Sequence, residues 1–227
     1  MKKSSRFPKA PTSEPFRYPQ QIREKKQAAA LPTSLVEGLF NEGLALHQSG
    51  RLAEAVTLYK QVLAIQPKHF NSLHSLGVIF LQQGNYEEAV RQINFALKRK
   101  TNSAEALNSR GAALKELKRF EEALASFNRA LALRPDYAEA LSNRGLTLHE
   151  LKRFDEALAN YDRALALRPN YATAFYNRGV TLHQMGRFEE ALANHESAVT
   201  MQTKPFFSTP NKVLATRSSF AATCHSS

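Results

Sequence analysis

The chain has 227 residues, 43% of them hydrophobic, with a formal net charge of +11. No apolar run approaches the roughly 20 residues needed to cross a bilayer, so no membrane span is expected. Its single cysteine, Cys224, excludes an intrachain disulfide and fits a reducing, cytoplasmic setting.

Residues 1–35 carry eight Lys/Arg against two acids, and residues 206–227 carry Lys212 and Arg217 with no acid. Most of the positive charge therefore sits in the two ends. A folded nucleic-acid binder places its basic patch on the folded surface, so this distribution argues against DNA or RNA as the partner. Pro8, Pro11, Pro15 and Pro19 break any regular helix in the first twenty residues. Residues 1–35 are accordingly expected to be a basic, Pro-rich disordered arm, with a short helix over 21–31 and an N-cap region at Thr33-Ser34. No apolar stretch follows the basic start, which argues against a secretory signal.

From residue 36 one unit of 34 residues recurs five times, at 36–69, 70–103, 104–137, 138–171 and 172–205. A glycine marks the same position in each: Gly43, Gly77, Gly111, Gly145 and Gly179. In the third unit Leu107, Gly111, Leu114 and Leu117, then Phe120, Ala123, Leu124, Phe127, Ala130 and Leu131, fall at steps of three and four. Each half is thus an amphipathic helix, and each unit a helical hairpin. The turn holds Lys118-Arg119 in the third unit and Gly50, Gly84 or Gly186 in the first, second and fifth. Pro67, Pro135 and Pro169 end the second helices. A helical glycine costs about 1 kcal/mol against alanine, so five in register imply close helix approach. The expected partner is the alanine twelve positions on: Ala55, Ala89, Ala123, Ala157 and Ala191. The bulky residue four further on (Tyr59, Ile93, Phe127, Tyr161) is expected to fill the groove to the next hairpin.

This pattern resembles the tetratricopeptide repeat. In the third unit it reads Leu107, Gly111, Leu114, Ala123, Phe127, Ala130 and Pro135, and in the fourth Leu141, Gly145, Leu148, Ala157, Tyr161, Ala164 and Pro169. The leading tryptophan is absent, and Arg110, Arg144 and Arg178 replace the usual leucine before glycine. In the fifth unit His195 replaces the aromatic and Thr203 the proline. The resemblance implies an all-α fold: a right-handed α-solenoid of five hairpins, about ten antiparallel helices. It also implies that the first helices line a concave groove that holds a peptide or protein segment.

Side chains outside the buried stripe of those first helices form the candidate site: Asn41, His74, Asn108, Lys115, Asn143, His149, Tyr176, Asn177 and His183. Asn41, Asn143 and Asn177 share one repeat position, held by Ser75 and Ser109 in the other two units. This is similar to the asparagine ladder of O-linked N-acetylglucosamine transferases, where amides grip a peptide backbone. An amide both donates and accepts, which suits sequence-tolerant binding. His47, His149 and His183 also share a position, but stacked hairpins set equivalent side chains about 10 Å apart, too far for a shared zinc ion. They are expected to face solvent or a partner. No metal and no cofactor is expected. The carboxylate clamp of chaperone-binding relatives lacks its residues, since Phe40 and Leu44 stand where Lys and Asn would be needed.

Arg110, Arg144 and Arg178 are expected to pair with acids on adjacent hairpins, with Glu121-Glu122, Asp155-Glu156 and Glu189-Glu190 on offer. Nucleophile, phosphate-loop and metalloprotease motifs are absent from the sequence, so no catalytic residue is assigned and the chain is expected not to be an enzyme. Residues 206–227 read as an irregular tail and not a capping helix, which would leave Leu192, Val199 and Met201 exposed. Two readings stand for that end. Either a partner or a second copy of the chain covers it, or the chain is a shortened relative of a longer protein. On the first reading the chain is an interaction scaffold that can self-associate. On the second it is the recognition region of a glycosyltransferase-like protein without its catalytic domain.

Overall fold

A computed structural model describes residues 33–203. The short helix expected over 21–31, the rest of the arm before residue 33 and the tail at 206–227 lie outside the described residues. The described residues form ten helices: α1 (Thr33–Gln48), α2 (Leu52–Ile65), α3 (Phe70–Gln82), α4 (Tyr86–Leu97), α5 (Ala104–Glu116), α6 (Phe120–Leu133), α7 (Ala138–Glu150), α8 (Phe154–Leu167), α9 (Ala172–Gln184) and α10 (Phe188–Thr203). Helix α1 begins at Thr33, within the span expected to be arm. The described residues fall into two compact units, 33–101 and 102–203.

Local sequence explains the helix ends. The imidazole of His69 accepts from the Ser72 amide at 3.3 Å and caps α3, and the Ser103 hydroxyl accepts from the Ala106 amide at 3.2 Å and caps α5. The second helices of the hairpins start differently. Each opens with acids in its first turn, which complement the positive end of the helix dipole. In four of them an arginine just ahead of the helix grips the acid three residues on with two hydrogen bonds: Arg51–Glu54, Arg119–Glu122, Arg153–Glu156 and Arg187–Glu190.

Every hairpin turns through one left-handed residue. Gly50, Gly84 and Gly186 have φ of 80°, 77° and 77°, and Lys118 and Lys152 fill the same place at 59°. The amide after it closes back onto the first helix, as Arg119 N does on Leu114 O at 2.9 Å and Arg187 N on Leu182 O at 3.0 Å. This is the Schellman closure that glycine normally serves.

In the first unit α2 packs on α3, and Ala55, Tyr59, Leu76 and Ile79 form the core, with Phe40, Leu46 and Phe80 against them. In the second unit three hairpins stack, α6 on α7 and α8 on α9. Leu148 of α7 joins Leu124, Ala157 and Tyr161 in one cluster, and Leu182 of α9 joins Leu158 and Ala191 in the next. Within each unit, a hairpin thus completes its neighbour's core.

The glycine register has a different partner from the expected alanine. A Cβ on Gly77 would lie 2.4 Å from Ile93 Cγ1, on Gly111 2.6 Å from Phe127, on Gly145 2.7 Å from Tyr161 and on Gly43 2.9 Å from Tyr59. The residue sixteen positions on fills the space above its own glycine. The alanine helps by allowing close backbone approach, with Ala89 O and Ala191 O each 3.2 Å from the added Cβ of Gly77 and Gly179. In the fifth hairpin His195 takes the aromatic's place at 3.0 Å.

Candidate functional site

In the second unit the first helices touch one another, α5 on α7 and α7 on α9. Their shared face is built from its base outward. Arg134, just past α6, ion-pairs with Glu105 in the first turn of α5 and lies 4.6 Å over the Tyr137 ring. Arg168 repeats this with Glu139 and Tyr171, at 4.7 Å over the ring. These brackets tie each hairpin's end to its start and fix the tyrosines. The Asn108 amide then donates to the Tyr137 hydroxyl at 3.4 Å, and Asn143 Nδ2 donates to Asn108 Oδ1 at 3.0 Å. A chain of polar groups crosses from α5 to α7. Asn177 continues it on α9, half-buried, and its side-chain amide has no hydrogen bond among the described residues. Beside it Tyr176 is 54% exposed, its ring 5.4 Å from that of His195.

The other candidate residues separate. Lys115 on α5 is half-buried and ion-pairs with Glu116 at 2.7 Å. His183 on α9 is exposed, edge-on to Phe188 at 5.2 Å. His149 on α7 is buried, so a solvent- or partner-facing role does not hold for it. The Thr181 hydroxyl donates to Asn177 O at 2.9 Å, so it must accept from His149 Nδ1 at 2.9 Å, and that nitrogen carries the proton. Burial pushes His149 below the ordinary histidine range, against a weaker opposing pull from Glu150. In the first unit Asn41 is exposed on α1, and His74 stacks on Phe70 at 6.0 Å on α3. His47 meets Gln82 at 3.1 Å. Histidines at one repeat position thus occupy three environments. Among the described residues no group of three or more His, Cys, Asp or Glu could hold a metal ion.

The three arginines depart from expectation in their partners. Arg144 Nε donates to Asn160 Oδ1 at 2.8 Å and Nη1 to Asn128 Oδ1 at 2.9 Å. Arg110 donates to the Ser126 hydroxyl at 2.6 Å and stands 4.0 Å from Glu122. Arg178 does find an acid on the adjacent hairpin, but it is Asp162, at 2.7 Å, with Asn194 at 3.1 Å. The acids that open the second helices are already held by the arginine three residues before them. A cleft of about 410 Å³ opens beside Arg144, lined also by Glu121, Leu124, Asn128, Glu156 and Asn160. It was not foreseen from the sequence. The Asn128-for-Asp162 difference was its only signal.

The hairpin register agrees with an independent comparison. A tetratricopeptide-repeat family model matches residues 70–136, 102–170 and 136–204, and a second repeat model of the same kind matches 43–84. The chain belongs to the tetratricopeptide-repeat family. Solved structures agree on the fold. The chain is 25% identical to MamA, covering 70% of this chain and 94% of that one at a TM-score of 0.61. It is 24% identical to YrrB, described as a TPR protein with an unusual peptide-binding site, covering 81% and 91% at a TM-score of 0.59. It is 22% identical to PilF of Pseudomonas aeruginosa, covering 75% and 78% at a TM-score of 0.66. No curated protein matches the chain. The fold class is the all-α tetratricopeptide solenoid. None of the described helices is long and apolar enough to cross a membrane.

Proposed function

We propose that this tetratricopeptide-repeat chain is a non-enzymatic, cytoplasmic interaction scaffold that holds an extended peptide or protein segment against the first helices of its hairpins. The observation that carries this reading is the polar chain Tyr137–Asn108–Asn143, continued by the unengaged Asn177 amide beside exposed Tyr176. Asn143 uses one N–H on Asn108 and keeps its carbonyl oxygen and second N–H for a ligand. Amides hydrogen-bond a peptide backbone without reading its side chains, and an exposed tyrosine supplies a rigid apolar anchor. Family membership supports a protein or peptide partner, and YrrB offers a fold neighbour described by its peptide-binding site. Asn41 and His74 serve the corresponding face of the first unit.

The test is affinity. A peptide selected from a displayed random library would be titrated into the chain and into an Asn143→Ala/Asn177→Ala variant. About a tenfold or greater loss is expected, since two main-chain hydrogen bonds contribute about 1 kcal/mol each. Equal affinity would remove the asparagine ladder from the account.

Self-association belongs to the same proposal. Phe188 and Leu192 on α10 are 62% and 61% exposed. A second copy is the proposed cover. Sedimentation equilibrium should show a concentration-dependent dimer that Leu192→Glu abolishes. A monomer at every concentration contradicts it.

A further inference from the structure

The cleft beside Arg144 lies on the side of the second unit formed by the second helices, apart from the proposed peptide-binding face. Its lining comes from α6 (Glu121, Leu124, Asn128), α7 (Arg144, Leu148) and α8 (Glu156, Asn160). The volume of about 410 Å³ is within the ordinary range of ligand sites.

The repeat supplies its own comparison. At the next hairpin boundary Arg178 occupies the place of Arg144, and Asp162 the place of Asn128. There a carboxylate meets the guanidinium at 2.7 Å. At Arg144 the two partners are neutral amides, and among the described residues no carboxylate lies within ion-pair distance. Glu156 is near but holds Arg153 with both oxygens, at 2.7 and 2.8 Å. Arg144 Nη2 makes no hydrogen bond among the described residues, and Arg144 lines the cleft. A half-buried guanidinium with a spare N–H edge is the donor set for a carboxylate.

We propose that this cleft binds an aspartate or glutamate side chain of a partner peptide, its carboxylate on the Nη2 edge of Arg144, whose charge no internal carboxylate neutralises as Asp162 does that of Arg178. The lining decides for a side chain over a free inorganic anion. Arg144 and Arg153 are balanced by Glu121 and Glu156, so no net positive field concentrates an isolated ion there, and a carboxylate delivered on a bound peptide is the occupant.

The probes are N-acetyl-Gly-Glu-Gly amide and its Gln counterpart, titrated into the isotope-labelled full chain and followed by nuclear magnetic resonance. The Glu peptide should saturably shift Arg144 Nε and the amides of Leu124 and Asn128, and the Gln peptide should not. Asn128→Asp should weaken Glu-peptide binding by about tenfold or more, because an internal carboxylate then occupies the guanidinium. The same variant should raise the melting temperature. Equal shifts from both peptides, no saturable shift in this cleft, or undiminished binding to Asn128→Asp would overturn the proposal.

Discussion

Gly77 and Gly38 are both helical, and their surroundings make them opposites. A Cβ on Gly77 meets Ile93 at 2.4 Å and the backbone oxygen of Ala89 at 3.2 Å, whereas one on Gly38 meets nothing within 4 Å. Gly77→Ala should therefore destabilise by about 2 kcal/mol, overpacking outweighing the gain in helix propensity. Gly38→Ala should stabilise by up to about 1 kcal/mol. Urea unfolding of the two variants checks the pair, and equal effects would show that the glycine register is not a packing device. The turn residues make a second case. Lys118 holds φ 59° where the first, second and fifth hairpins use glycine. Lys118→Gly should gain about 1 kcal/mol by relieving the left-handed strain. An unchanged or lower unfolding midpoint would contradict that. The 34-residue spacing made the glycines legible, but not what they touch. That depends on which side chain the crossing angle aims at the gap, and the large side chain sixteen residues on reaches it while the alanine's single methyl does not.

Two histidines control contacts between or at the ends of helices. His69 Nδ1 accepts from the Ser72 amide at 3.3 Å to cap α3, so it must be unprotonated. His149 on α7 donates to Thr181 on α9. Burial pushes both below the usual value of 6.5, with Glu37 and Glu150 pulling weakly the other way. A depressed folded-state value means that the unfolded chain takes up the proton first. The stability these groups contribute is present above about pH 6.5 and falls as pH drops below it. The urea midpoint should decline from pH 7 to pH 5, and a His69→Asn/His149→Gln variant should flatten that decline. Stability rising on acidification would contradict the assignment. Helix existence, turn position and proline stops were all readable from periodicity. The partners of Arg110, Arg144 and Arg178 were not. Acids near the start of the second helices looked available, yet an arginine three residues away claims them first, and local pairs form at less entropic cost than pairs across hairpins. His149 was misread for a related reason: repeat position gives the face of a helix but not the depth set by the neighbouring helix.

At the scale of the chain, regularity and departures from it carry different information. Five hairpins with one glycine, one turn and one acidic helix start build the scaffold, and that part was legible throughout. The recognition proposed above rests on positions where repeats differ: Asn143 and Asn177 against Ser75 and Ser109, Asn128 against Asp162, and Tyr176, exposed where Asn108 is half-buried. The repeat register picked out Asn143 and Asn177, whereas Asn128 could be placed only through its partner on the adjacent hairpin, Arg144. The central claim is that the first-helix face holds an extended segment. Amide chemical-shift mapping of the labelled full chain with a selected peptide tests it most directly. The largest shifts should cluster at Asn108, Asn143, Tyr176 and Asn177. Shifts confined to the outer faces of α6, α8 and α10, with those four residues unmoved, would contradict it.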